Sequence, residues 1–98
     1  MKNLIMVVAA GIVPALTDAL RDLQVGSFTV ARVEEHGVGA DTFMTARDRV
    51  VGHVPRARID LLLDDAAVAG VLEALAGRQA EIGHGVWWLV PVEQQGTF

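Results

Sequence analysis

The order in which two hydrophobic periodicities alternate limits this chain to very few folds. Asn3 to Ala9 is a short continuous apolar run rich in valine and isoleucine, the pattern of a strand central in a sheet. Pro14 stands where a helix can begin, and Ala15, Leu16, Ala19, Leu20 and Leu23 then recur at three- and four-residue steps until Gly26. From Phe28 to Val33 the period drops to two, which predicts a second strand. A third strand is predicted from Val54 to Leu63, with Ile59, Leu61 and Leu63 on one face and Arg56, Arg58, Asp60 and Leu62 on the other. Asp64 or Asp65 can cap a second helix that carries Val68, Val71, Leu72 and Leu75 and ends at Gly77. A polar turn leads to a fourth strand, Val86 to Val90, stopped by Pro91. Two strand–helix–strand units side by side predict an α+β, ferredoxin-like βαββαβ domain. It has a four-stranded antiparallel sheet, both helices on one face and the other face open.

Composition narrows the function classes. The chain has 98 residues, 52% of them hydrophobic, so it forms one domain (1–98) whose apolar surplus and open sheet face are expected to lie between subunits. A net charge of -4 argues against nucleic acid and anionic membranes as partners. The absence of cysteine removes disulfides and thiol chemistry and suits a cytoplasmic location. Lys2 followed by an apolar run resembles a secretory signal, but Pro14 interrupts it and no cleavage site follows, so the segment is expected to be a buried first strand. Its length is also far short of a membrane span.

Glu34 to His53 has no sustained period and reads as a long loop between two strands. Two glycine-flanked turns carry the most suggestive chemistry, Gly37-Val38-Gly39 and Gly83-His84-Gly85 followed by Val86. Glycine lets successive N–H groups converge on an anion, although each turn can equally serve only to end a strand. Arg47, Arg49, Arg56 and Arg58 form a basic concentration, from which Arg56 or Arg58 could supply phosphate charge. Phe43 and Met44, with Arg47 and Arg49, read as a docking tip for a protein partner. Trp87 and Trp88 face opposite sides of their strand, so one is expected beneath the helices and the other between subunits or in a ligand cleft, with core packing the default for both. The sequence shows no triad, no phosphate-binding Walker loop and no paired carboxylates in a recognisable frame, so an enzyme is not expected.

Two segments resemble the PII signalling proteins. Val54-Pro55-Arg56-Ala57-Arg58-Ile59-Asp60-Leu61-Leu62-Leu63-Asp64-Asp65 is similar to their "LPKVKIEIVVDD" stretch. Arg78 to Gly85 with Trp88-Leu89-Val90-Pro91-Val92-Glu93 is similar to "RTGEIGDG...FVLPVE". The resemblance implies a homotrimer with small-molecule sites in the clefts between neighbours. It also implies a T-loop, over about residues 35–53, that signals to a transporter or enzyme, and a phosphate-facing loop at Glu81 to Val86. The departures bear on the ligand. Ala40 follows the first turn where the family has a basic residue, Val86 replaces the lysine of "GDGK", and the C-terminal arginines are absent. Each lost cation removes a contact of about 1.5–3 kcal/mol, so AMP or ADP, or bicarbonate, is expected rather than ATP. No cofactor is otherwise implied. The chain thus resembles the divergent PII-like proteins of the carboxysome- or transporter-associated type. A second resemblance in architecture, to the divalent-cation tolerance proteins, implies instead a metal-binding trimer with His36 and His84 as ligands.

Overall fold

The computed structural model describes residues 1–37 and 54–98. Its elements are β1 (Lys2–Ala9), a 3₁₀ turn (Ala10–Ile12), α1 (Val13–Asp22), β2 (Thr29–Glu35), β3 (Val54–Leu63), α2 (Asp65–Gly77), the short α3 (Gln79–Ile82) and β4 (Gly85–Pro91). The strands form one antiparallel sheet in the order β2-β3-β1-β4. This is the ferredoxin-like arrangement expected from the periodicities.

The apolar run of β1 is explained by its position between β3 and β4. Leu4, Met6 and Val8 point to the helices, where they join Leu16, Ala19 and Leu20 of α1, Ala57, Ile59, Leu61 and Leu63 of β3, and Val68, Val71 and Leu75 of α2 in one core. Pro14 sits in the first turn of α1, where an amide hydrogen would have no helical partner. Thr17, the one buried polar residue of that face, donates its hydroxyl to the Pro14 carbonyl at 3.1 Å and so adds no unsatisfied group to the core.

Four local expectations are corrected. Helix α1 ends at Asp22, and Gly26 lies beyond it at φ +87°, in the connection to β2. Strand β2 runs on to Glu35, because Glu34 and Glu35 pair with Pro55 and Val54 of β3 although their charges break the hydrophobic pattern. The polar turn before β4 contains α3, whose partner Arg78 donates to Glu81 at 3.1 Å and to Asp22 of α1 at 3.1 Å, clasping the ends of two helices. Trp87 faces the helices and Trp88 the open face, but Trp87 is 53% exposed rather than packed beneath the helices, since β4 is an edge strand of the described sheet; Trp88 is 43% exposed.

Candidate functional site

The turn from Gly83 to Gly85 is glycine-dependent at two positions for two different reasons. Gly83 has φ +74° and ψ -158°, backbone that L residues rarely adopt. Gly85 has ordinary backbone but opens β4 directly against β1. A Cβ there would lie 2.6 Å from Val8 Cγ1 and 3.0 Å from the Val7 carbonyl oxygen. Between them, His84 Nδ1 accepts from Gln79 Nε2 at 2.6 Å, which places the ring proton on Nε2. The turn roofs a cavity of about 180 Å³ on the helix side of the sheet, floored by Leu16, Leu72, Leu75 and Ile82 and walled by Trp87.

The opposite sheet face is open. The register aligns Arg58, Val7 and Val86 in one row, Asp60, Ile5 and Trp88 in the next, and Leu62, Asn3 and Val90 in the third. Leu62, Val86, Trp88 and Val90 are all exposed there. Among these apolar groups lies a polar network: Arg58 donates to Asp60 through Nε at 2.8 Å and Nη2 at 3.1 Å, and Asn3 Nδ2 donates to Asp60 at 3.1 Å. A carboxylate only accepts, so the Asn3 amide can point only its nitrogen at Asp60. Asn3 Oδ1 is left buried and without a partner.

The Arg58 hydrogen bonds hold the Asp60 carboxyl below the usual carboxylate range, aided by Asn3 and the Arg58 charge and opposed by burial. A lowered folded-state pKa contributes stability above the unfolded-state value, and that contribution is lost as pH falls through the folded one. Wild type is therefore expected to melt above Asp60→Asn by a constant margin above about pH 5, and the margin is expected to shrink below about pH 4. Thermal melts across that range check the sign.

Gly37 (φ +109°) follows β2, and Gly83–Gly85 precedes β4. The register puts both at the same end of the sheet, beside the start of β3 and the end of β1. They occupy opposite edges, three strand spacings or roughly 14 Å apart. One chain does not bring Gly37 and the Gly83–Gly85 turn together. The same separation applies to His36, which pairs with Glu34 at 3.2 Å, and His84. Among the described residues no three His, Asp or Glu side chains gather as a metal-binding set. Nor is any helix among them long and apolar enough to cross a membrane.

Over residues 1–98 the sequence matches the family described as protein of unknown function, DUF3240. The chain belongs to the DUF3240 family. A crystal structure of a DUF3240 family protein from Shewanella baltica OS155 superposes with a TM-score of 0.76 at 18% identity, covering 99% of this chain and 94% of that one. At that identity the likeness establishes the shared fold. No curated protein matches.

For this DUF3240 chain, the structure gathers Gly83, His84, Gly85 and the backbone of Val86 at the cavity. It places Arg58 on the open face, two strands from Val86 and engaged with Asp60. Arg56 is likewise paired, its Nε donating to Glu35 at 2.7 Å. Val38, Gly39, Phe43, Met44, Arg47 and Arg49, and with them the T-loop-like segment 38–53, lie outside the described residues. The cavity and the Asn3–Asp60–Arg58 network are what sequence reasoning missed. A signal for the network was present in the Asn3 and Asp60 positions, which break otherwise apolar rows.

Proposed function

We propose that this chain is a non-enzymatic, PII-like regulatory sensor that assembles as a homotrimer, binds its effector in clefts between copies and signals to a partner protein. The carrying observation is the placement of the two glycine turns at one end of the sheet and on opposite edges. β2 and β4 run in opposite directions, so the β4 edge of one copy meets the β2 edge of the next in antiparallel sense around an axis along the strands. That closure brings Gly37 of one copy beside Gly83–Gly85 of its neighbour. It also turns the open faces inward, covering Leu62, Val86, Trp88 and Val90 and giving the orphaned Asn3 oxygen a chance of a donor.

The effector is an adenine nucleotide with few phosphates, AMP or ADP, or a small anion such as bicarbonate. Glycine turns offer backbone N–H groups, which suit a limited negative charge. Arg56 and Arg58 are each already paired with a carboxylate, leaving little cationic support for a triphosphate. The segment carrying Phe43, Met44, Arg47 and Arg49 is the part of the sequence that meets the partner, a transporter or enzyme.

Light scattering and calorimetry test this together. Wild type is expected at the mass of three chains, binding one AMP or ADP per chain more tightly than ATP. Trp88→Glu places a charge in the inward face and is expected to run as a single chain and give no nucleotide heat. A single-chain wild type overturns the trimer, and a trimer silent to every nucleotide and to bicarbonate overturns the sensor.

A further inference from the structure

We propose that the cavity between the helices and β4 is a second binding site, for an uncharged single-ring aromatic molecule whose edge carries one hydrogen-bond acceptor and one donor, as an aromatic carboxamide does. The site is built within one chain, on the helix side of the sheet; it shares the Gly83–Gly85 turn with the cleft proposed above but needs neither assembly nor nucleotide to form. Size comes first: its volume is about 180 Å³, while apolar cavities of about 150 Å³ admit a benzene ring. Fused or drug-sized ligands want about 300 Å³ or more. Electrostatics comes next. No charged residue is found among the described residues that line it, so a carboxylate or ammonium entering there meets no opposite charge to offset its loss of hydration.

Floor and wall fit a flat apolar body. Leu16, Leu72, Leu75 and Ile82 supply aliphatic contact, and Trp87 supplies an aromatic surface for offset or edge packing. The polar chemistry is confined to Gln79 and His84. Their mutual bond uses Gln79 Nε2 and His84 Nδ1, which leaves Gln79 Oε1 as an acceptor and His84 Nε2–H as a donor. A carboxamide answers both, its carbonyl accepting from His84 and its N–H donating to Gln79. Their backbones hold the pair in place: α3 carries Gln79, and the Gly83 and Gly85 turn fixes His84.

Benzamide is the probe. The two indole N–H resonances report on the two sheet faces, Trp87 beside the cavity and Trp88 on the open face. In proton–nitrogen spectra, benzamide is expected to shift the Trp87 indole and the Gln79 side-chain amide saturably and to leave Trp88 in place. Toluene and benzoate are each expected to bind about tenfold more weakly, the first for want of two hydrogen bonds and the second for its charge. His84→Ala is expected to weaken benzamide about tenfold and to erase its preference over toluene, with no change in melting temperature. Ala76→Trp, at an exposed position on the cavity rim, is expected to abolish the shifts. The single-chain Trp88→Glu variant is expected to retain them, so failure of the cleft reading and failure of this one are told apart. Equal binding of toluene and benzamide overturns the polar recognition. Unsaturable shifts, or benzamide still binding to Ala76→Trp, overturn the site. An Ala76→Trp protein that loses its assembly, with benzamide inert on wild type, identifies a second copy as the occupant and overturns it as well.

Discussion

Leu20→Ala is expected to lower stability by about 2–5 kcal/mol, the range for emptying a buried leucine site. Leu20 is 0% exposed and wedged from α1 into the core shared by β1, β3 and α2. A domain of this size is held by roughly 5–15 kcal/mol in total, so the loss is a large fraction of all it has. The melting temperature is expected to fall by roughly 10–30 °C. The comparison that gives the number meaning is Leu62→Ala. Leu62 is the same residue type at 44% exposure on the open face, and its truncation should cost a single chain less than about 1 kcal/mol. Both are best measured by urea unfolding in a Trp88→Glu background, so that assembly on the open face does not enter. A Leu20→Ala loss no greater than that of Leu62→Ala would mean that the helix–sheet core is not what holds the fold.

That contrast also explains how much of the fold was readable. β1, β3, α1 and α2 carry their burial in their own periodicity, because each presents one face to a core that the other three complete. The edges are where reading ran out. Glu34 and Glu35 look like loop, yet they continue β2 because backbone pairing with Val54 and Pro55 does not need apolar side chains. Trp87 looks like core beneath the helices, yet an edge strand gives it a neighbour on one side only among the described residues. The helix Gln79–Ile82 is a single turn, too short to show a period.

For the candidate site, residue types were readable and the reasons for them were not. Of glycines 37, 83 and 85, Gly37 and Gly83 use positive φ. The requirement at Gly85 comes from Val8, a residue far away in sequence, and no local pattern encodes it. Arg58 was readable as a cation, but its place on the open face, two strands from Val86, was not. Whether it is available depended on Asp60, two residues along the same strand and therefore on the same face. The cavity draws on α1, α2, α3, β1 and β4, so it exists only once the chain has folded.

Gly85→Ala isolates that long-range constraint. The added Cβ falls 2.6 Å from Val8 Cγ1 and 3.0 Å from a backbone oxygen, and neither is the loose end of a flexible side chain. Val8 is 6% exposed and fixed in the core, and the Val7 carbonyl belongs to a central strand. The start of β4 must therefore move away from β1, weakening the Val8–Gly85 pairing and the roof of the cavity. Such overpacking costs about 1–3 kcal/mol, or roughly 5–20 °C in melting temperature. Gly70→Ala is the opposite case. A Cβ there meets nothing within 4 Å, and alanine suits the interior of α2 better than glycine, so a gain of up to about 1 kcal/mol is expected. Val8→Ala removes the methyl that the new Cβ strikes, so the double variant Val8→Ala/Gly85→Ala is expected to be more stable than the sum of its two losses predicts. Additive losses would place the strain at the Val7 carbonyl instead, and a Gly85→Ala protein that melts with wild type would show that β4 can start elsewhere without cost.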